Sequence, residues 1–268
     1  MIKYKKIIFI FFCLFFIFYS GFPQLEEGKT IELKNEAKIQ SIIYLSIGYP
    51  MSTNSYSFFD NYLKIIQGLK SNFETSLILY LSNKYFLNDN YRLGLSCEYF
   101  TANLNDPFIQ KITTTDEEFY RTLTEEINIT SLPCFFSFEY SPTNLQFSTY
   151  IGIGLGIDIT KIKWLEKLET TNIIDKRKGG LHYDNIILSP VCRLFSGIEL
   201  GFDKYTDNMV IKSLNFEFNI TYSMRKANIF KNISDQFDEP IPENINRNFT
   251  IIPFYFGLNI GVSFNLYG

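Results

Sequence analysis

The chain has 268 residues, of which 18% are aromatic, with 28 Phe and 18 Tyr beside a single Trp. Its net charge is −3, and removal of a leader carrying Lys3, Lys5 and Lys6 would lower it to about −6, which excludes the basic footprint of a nucleic-acid-binding protein. Mean hydropathy is near zero, and this excludes a bundle of several transmembrane helices.

The N-terminus has the layout of a secretory signal peptide. The basic segment MIKYKK precedes the apolar run IIFIFFCLFFIFYS, and a positive region followed by about 7–15 apolar residues is typical of such signals. We predict a signal peptide at 1–21 and a short polar, periplasmic lead-in at 22–38. An uncleaved membrane anchor is the alternative, because Phe18 and Tyr19 are poor residues for a cleavage site.

From residue 39 onwards, apolar and polar residues alternate in eight runs, which is the signature of β-strands with two different faces. In the clearest run, Ile151, Ile153 and Leu155 share one face while Gly152 and Gly154 share the other. The runs span residues 39–48, 76–82, 91–99, 134–140, 147–159, 188–201, 213–222 and 252–266. We therefore predict an all-β fold with a barrel domain at 39–268.

The connections between these runs alternate in length. The short ones are Leu87–Asn90, Ser141–Gln146 and Asp203–Asn208, and the long ones cover about 50–72, 101–131, 160–185 and 225–250. Short periplasmic turns and longer external loops are typical of bacterial outer-membrane barrels. The prediction is an eight-stranded antiparallel up-and-down transmembrane β-barrel with four long external loops and both ends of the mature chain in the periplasm.

The two faces of the strands indicate which side meets lipid. One face is apolar and aromatic, and the other holds Gly, Ser, Asn, Tyr and charges, so we place the apolar face outward and the polar face in the lumen. A soluble lipocalin-like barrel would have the opposite arrangement. Five tyrosines at the ends of outward faces are predicted to form an aromatic girdle: Tyr49, Tyr91, Tyr99, Tyr140 and Tyr222.

Six charged residues occupy inward positions of the predicted strands: Arg92, Glu98, Glu139, Arg193, Glu199 and Glu217. They belong in the lumen because a charge on the lipid face at mid-depth costs about 2–4 kcal/mol. They either line a pore or pair with one another and plug the lumen. We favour the plug, since the interior of an eight-stranded barrel is filled by side chains.

Pairing of buried charges also suggests a register for two strand pairs. Across the third and fourth strands, one register places Arg92 opposite Glu139 and also Cys97 opposite Cys134 on the lipid face. Across the sixth and seventh strands, we predict Arg193 opposite Glu217. Registers shifted by two residues keep the same faces and remain alternatives, but they leave buried charges without a partner, which is costly.

No catalytic or metal-binding pattern is evident. His182, the only histidine, falls in the third long loop, where we expect it to be exposed, and no Ser lies near it at a spacing that suggests a Ser/His/Asp triad. Outside the signal, Cys97, Cys134 and Cys192 form no CxxC motif or Cys/His cluster, and we interpret them as free apolar fillers. We predict no catalytic residue, no metal site and no cofactor.

With these strands, loops and faces, residues 39–268 resemble the eight-stranded outer-membrane β-barrel families, such as the OmpA transmembrane domain and the PorT-like barrels. The resemblance is one of architecture and includes no specific motif. Such barrels usually end in an aromatic residue that the assembly machinery reads, whereas this chain ends in Tyr267-Gly268. The resemblance implies outer-membrane lipid, periplasmic chaperones and the barrel-assembly machinery as partners.

Three hypotheses for function follow. The first is a non-enzymatic outer-membrane protein with a structural or interaction role, whose lumen is plugged and whose long loops are displayed to a protein partner. The second is a narrow, porin-like solute channel. The third is a lipid A-modifying enzyme, as some barrels that resemble this one are, and it depends entirely on His182.

Overall fold

A computed structural model describes residues 41–54, 56–88, 90–113, 118–142, 147–169, 179–202, 211–227, 229–232 and 249–265. The elements are β1 (Ser41–Asn54), α1 (Tyr56–Ile65), β2 (Glu74–Thr75), β3 (Ile78–Phe86), β4 (Tyr91–Thr113), β5 (Glu118–Tyr140), β6 (Phe147–Glu169), β7 (Gly180–Gly201), β8 (Ile211–Ser223), β9 (Lys226–Ala227), a 3₁₀ turn (Ile229–Asn232), β10 (Phe249–Thr250) and β11 (Phe254–Asn265). The predicted signal peptide and lead-in lie outside these residues. Within the described ranges, no helix is both long enough and apolar enough to cross a membrane.

Eight of the described strands form a closed antiparallel ring, which confirms the predicted fold. The order around the ring is β1, β3, β4, β5, β6, β7, β8 and β11, and β11 pairs with β1 to close it. Each strand of the ring therefore pairs with its neighbours in the sequence, as in an up-and-down barrel. The short strand β2 pairs with β4 on the same edge as β3 does, and Thr75 lies opposite Ala102 there.

The strand faces at the end of the barrel with the short turns are as predicted. On β6, Ile151, Ile153 and Leu155 are each more than half exposed on the outside, whereas the inward Tyr150 is 3% exposed. Similar outward apolar residues on all eight strands form a continuous apolar belt. Since polar and charged side chains fill the inside, the arrangement is that of a transmembrane barrel and the inverse of a soluble one.

Four strands continue far beyond the belt, and the faces then exchange character. On β4, Leu93 and Leu95 point outward, but further along the strand the buried apolar residues are Leu104 and Phe108, while Asn103 is exposed on the outside. In this region the sheet has polar residues outside and apolar residues inside, as the sheets of soluble proteins do. The prediction that 101–131 and 160–185 are loops was wrong for most of both segments, which are strand in β4 to β7.

The first predicted register is confirmed and the second is wrong. Arg92 pairs with Glu139, and Cys97 pairs with Cys134, across β4 and β5. Across β7 and β8, however, Arg193 lies opposite Thr221, four residues along the strand from Glu217. The ion pair forms nonetheless, because the long arginine side chain reaches Glu217 diagonally, so charge pairing did not require direct opposition.

Candidate functional site: a filled lumen beneath an apolar cap

The first layer of lumen charges lies near the short turns. Glu139 accepts a hydrogen bond from Lys84 Nζ at 2.6 Å and one from Arg92 Nη1 at 2.9 Å. Arg92 also bonds Glu199 at 2.7 Å, and Ser213 donates to the same carboxylate. The structure therefore brings together three of the predicted lumen charges and adds Lys84, an inward residue of β3 that sequence analysis did not single out.

A second layer fills the middle of the lumen around Arg193. Its guanidinium lies between two carboxylates, Glu98 at 2.5 Å and Glu217, and its Cζ lies 4.4 Å from the centre of the Tyr80 ring. Tyr150 donates to Glu217, and Tyr255 donates to Glu98. The layer joins strands on opposite sides of the ring, and its charged groups are buried.

The third layer of lumen charges lies where the belt ends. Asp158 accepts hydrogen bonds from Arg225 Nε at 2.5 Å, from Ser131 at 2.7 Å and from Ser223 at 2.8 Å. Arg225 in turn donates to the carbonyl oxygen of Ile252 at 2.6 Å. Neither charge was among the six predicted ones: Asp158 stands on the polar face of its run, and Arg225 begins a segment that we had predicted to be a loop.

Inward glycines make room for the large side chains of these layers. A Cβ added at Gly152 would lie 2.2 Å from the Phe195 ring, and one added at Gly197 would lie 2.5 Å from the Tyr150 ring. Each glycine is therefore paired with an aromatic residue on the neighbouring strand, Gly152 with Phe195 and Gly197 with Tyr150. This complementarity indicates that the lumen is packed, as expected for eight strands.

Above the third layer, an apolar core occupies the inside of the extended strands. We call this region the cap; it consists of α1 and the segment after it to Phe73, the extended parts of β4 to β7, and residues 226–227, 229–232 and 249–252. Its core contains buried residues of α1 and the segment after it, of the extended strands and of the late segments: Phe58, Phe59, Tyr62, Ile66, Phe73, Leu104, Phe108, Leu123, Ile127, Ile129, Ile162, Trp164, Ile229, Phe230, Ile251 and Ile252. The inside of the cap is thus a small hydrophobic core, and the extended strands form the wall around it.

Ile252 shows why the last strand begins later than predicted. The sequence pattern placed it on the outward apolar face, but its side chain is completely buried in the cap and its φ is 47°. This left-handed conformation is uncommon for a β-branched residue and interrupts an extended chain. The ring strand therefore starts at Phe254, and the carbonyl of Ile252 is turned toward Arg225.

Asp106 fastens the segment that follows α1 to the barrel wall. One of its carboxylate oxygens, Oδ2, accepts hydrogen bonds from the Tyr62 hydroxyl at 2.8 Å, from the Leu69 amide at 2.8 Å and from the Lys70 amide at 3.1 Å. The carboxylate is 1% exposed. Charge-assisted hydrogen bonds of this kind are stronger than neutral ones, so Asp106 holds α1 inside the barrel.

His182 is buried inside the cap, and the expectation of an exposed loop histidine was wrong. It lies on β7 at 2% exposure, and its Nε2 is 3.2 Å from an oxygen of Glu166. The reason is that β6 and β7 extend well beyond the belt and carry this residue with them. Its environment was not visible from the sequence, because Glu125 and Glu166, which join it, lie in segments that we had assigned to loops.

The tyrosines of the predicted girdle lie on the outside of the barrel. Tyr91 and Tyr140 pair across β4 and β5 beside the short turns, with ring centres 5.2 Å apart. Tyr49, Tyr99 and Tyr222 lie on the other side of the belt, toward the cap. The rings are therefore distributed over both edges of the belt.

Comparison with known proteins gives similarity in structure only. No family model matches the chain, and no curated protein matches its sequence. Neisserial surface protein A is 12% identical, with a TM-score of 0.43 over 84% of this chain and 97% of that one. Outer membrane protein OprG from Pseudomonas aeruginosa is 13% identical, with a TM-score of 0.44 over 86% and 98%.

The outer membrane protein AlkL, solved in lipid bilayers, is 14% identical, with a TM-score of 0.32 over 91% of this chain and 98% of that one. At these TM-scores, the three structures show a general similarity alone. The fold assignment depends on the closed ring of strands and on its two faces. The chain is an eight-stranded β-barrel of the transmembrane type.

Proposed function

We propose that this chain is a non-enzymatic barrel of the bacterial outer membrane, with a structural or interaction role and a lumen closed to solutes. The observation that supports the proposal is the stack of three charged layers in the lumen beneath the apolar cap. Each described lumen charge has an opposite charge within ion-pair distance. A barrel filled in this way holds its strands together and presents the cap on one side of the membrane.

The ring shows which parts of the chain share an end of the barrel. The described chain enters at Ser41 and leaves at Asn265 at the end with the short turns, while the cap lies at the other end. In our proposal the short turns and both chain ends face the periplasm, the belt and its tyrosines contact outer-membrane lipid, and the cap faces outward to a protein partner. Export and insertion would require periplasmic chaperones and the barrel-assembly machinery.

A liposome-swelling assay tests whether the lumen is closed. Vesicles containing the purified full chain should swell in a small sugar no faster than empty vesicles, whereas a known porin reconstituted at the same density should admit the sugar. Swelling above the empty-vesicle rate would overturn the closed-lumen proposal and favour the narrow channel. Protease added to intact cells tests the orientation, since the short turn Leu87–Asn90 must remain uncut.

The lipid A-modifying hypothesis has little support in the geometry. His182 is the one histidine on which it depends, and this residue lies inside the cap with its side chain 1% exposed. A lipid substrate approaches a barrel from the outer surface at the level of the membrane edge, where His182 offers no access. Unchanged lipid A in cells expressing the protein is the expected result.

A further inference from the structure

Three side chains with metal-ligating atoms meet inside the cap. Glu125 on β5 lies directly opposite Glu166 on β6, and His182 lies on the next strand, β7. One ligand atom from each residue falls within 4.8 Å of the other two, and His182 Nε2 is 3.2 Å from Glu166 Oε2. The three groups form a row across three adjacent strands on the inner face of the sheet.

A β-bulge directs the histidine into this row. Trp164 pairs with Tyr183 and Leu165 pairs with Leu181, so His182 has no residue opposite it on β6. Leu181, before it, is exposed on the outside, while His182 is buried. Bulges re-aim a side chain and are common beside functional sites. The irregularity in the strand therefore coincides with the residue that completes the cluster.

The surroundings hold the cluster in place. Glu125, Glu166 and His182 are 0%, 2% and 2% exposed. Trp164 Nε1 donates a hydrogen bond to Glu125 Oε2 at 2.6 Å, and its ring meets the His182 ring edge to face, with centres 5.6 Å apart. A hydrogen bond to a carboxylate from outside the cluster is what orients a ligating group in metal sites.

We propose that Glu125, Glu166 and His182 bind one divalent transition-metal ion inside the cap. Two carboxylates and an imidazole form a donor set suited to Zn²⁺ and similar ions, which bind three protein ligands and leave a position for water. The three ligand atoms now lie within 4.8 Å of one another. Bonds of about 2.0–2.2 Å to one ion would hold them closer together, and small movements of the side chains are enough to bring them there. The ion would tie β5, β6 and β7 together where they extend beyond the membrane, independently of whether the lumen conducts.

The test uses the full chain without a histidine tag, refolded in detergent after treatment with a chelator. Titration with Zn²⁺ should show one binding site per chain and should raise the midpoint of thermal unfolding, whereas Mg²⁺ should do neither. Bound Co²⁺ provides a second readout, because its absorption spectrum depends on its ligands. His182 is the only histidine of the chain, so a spectrum that indicates an imidazole ligand must come from this residue.

Matched variants separate binding from folding. Glu166→Gln and His182→Ala should each weaken Zn²⁺ binding about 100-fold or more, and Trp164→Phe, which keeps an aromatic ring but loses the indole N–H and part of the ring system, should weaken it about 10-fold. Glu126→Gln, on the outer face of β5 next to Glu125, should bind as the parent chain does. A parent chain that binds no Zn²⁺, or variants that bind it equally well, would overturn the proposal. Where His182→Ala fails to fold, the Glu166→Gln variant and the Co²⁺ spectrum of the parent decide.

Discussion

The Sγ atoms of Cys97 and Cys134 lie 2.7 Å apart on the outer face of the barrel, across the directly opposed positions of β4 and β5. Both thiols are free in this structure. Their register places them where a single bond would link β4 and β5 at the edge of the apolar belt.

We expect these two cysteines to form a disulfide under oxidising conditions. In that step both thiols lose their protons, the Sγ atoms join, and two electrons pass to a disulfide donor such as an exported thiol oxidase. The oxidised chain should lose two mass units and should resist urea unfolding by about 2–4 kcal/mol more than the reduced chain. Cys134→Ser should abolish the difference and Cys192→Ser should not. Equal stability before and after oxidation would contradict the prediction.

Removing the central lumen cation should strongly destabilise the barrel. Arg193→Met leaves Glu98 and Glu217 buried without their partner, and breaking a buried ion pair in this way typically costs about 3–5 kcal/mol. The unfolding free energy, measured in lipid vesicles, should recover much of this loss in the triple variant that also carries Glu98→Gln and Glu217→Gln. A triple variant no more stable than Arg193→Met would show that charge pairing does not hold this layer.

A methyl group at Gly152 should not fit the lumen. The added Cβ would lie 2.2 Å from the Phe195 ring and 2.8 Å from the Phe138 carbonyl oxygen. We expect Gly152→Ala to lower the unfolding free energy by about 1–3 kcal/mol, the usual cost of overpacking. Gly154→Ala is the control on the same face of β6, since its nearest contact is 3.4 Å from Phe135. Similar losses in both variants would indicate a general effect of glycine replacement.

Loss of the Asp106 carboxylate should release the segment after α1. Asp106→Ala removes the acceptor of three hydrogen bonds, and hydrogen bonds to charged groups contribute about 1.5–3 kcal/mol each. Limited proteolysis in detergent should then cut near Leu69 while the ring of strands stays folded and migrates as such on a gel. Asp60→Ala, which removes only an exposed pair with Lys64, should leave the cleavage rate unchanged.

The sequence was informative at the level of the membrane because two physical constraints act there together. Lipid outside and a narrow lumen inside enforce strict alternation, so the faces of β6 and the pairing of Arg92 with Glu139 could be predicted. Beyond the belt the outside is polar, and the alternation continues with its phase exchanged at Phe100. When the apolar residues move from the outer to the inner face within one strand, the change in the sequence pattern resembles the end of that strand. The strands of the cap were therefore predicted to be loops.

The clusters that depend on distant pairing could not be predicted for a different reason. Glu125, Glu166 and His182 are brought together by the register of two hairpins and by one bulge, and no local spacing encodes that combination. The same holds for Arg193, whose partner Glu217 is diagonal to it. The signs of the charges indicated which residues had to pair. They did not determine the strand register, because a long arginine side chain can reach a carboxylate that is not directly opposite it.

The cap core has a consequence for assembly, because it joins parts of the chain that are far apart in sequence. Phe58 of α1 and Phe230 of the late 3₁₀ turn lie with ring centres 5.9 Å apart. Contacts at such separation cannot be complete until the intervening strands are in place. Distance labels on Asp60 of α1 and on Lys226, which are both exposed, would therefore report the approach of the two segments only in barrels that have finished closing, and their signal would count correctly assembled molecules in a mixed population.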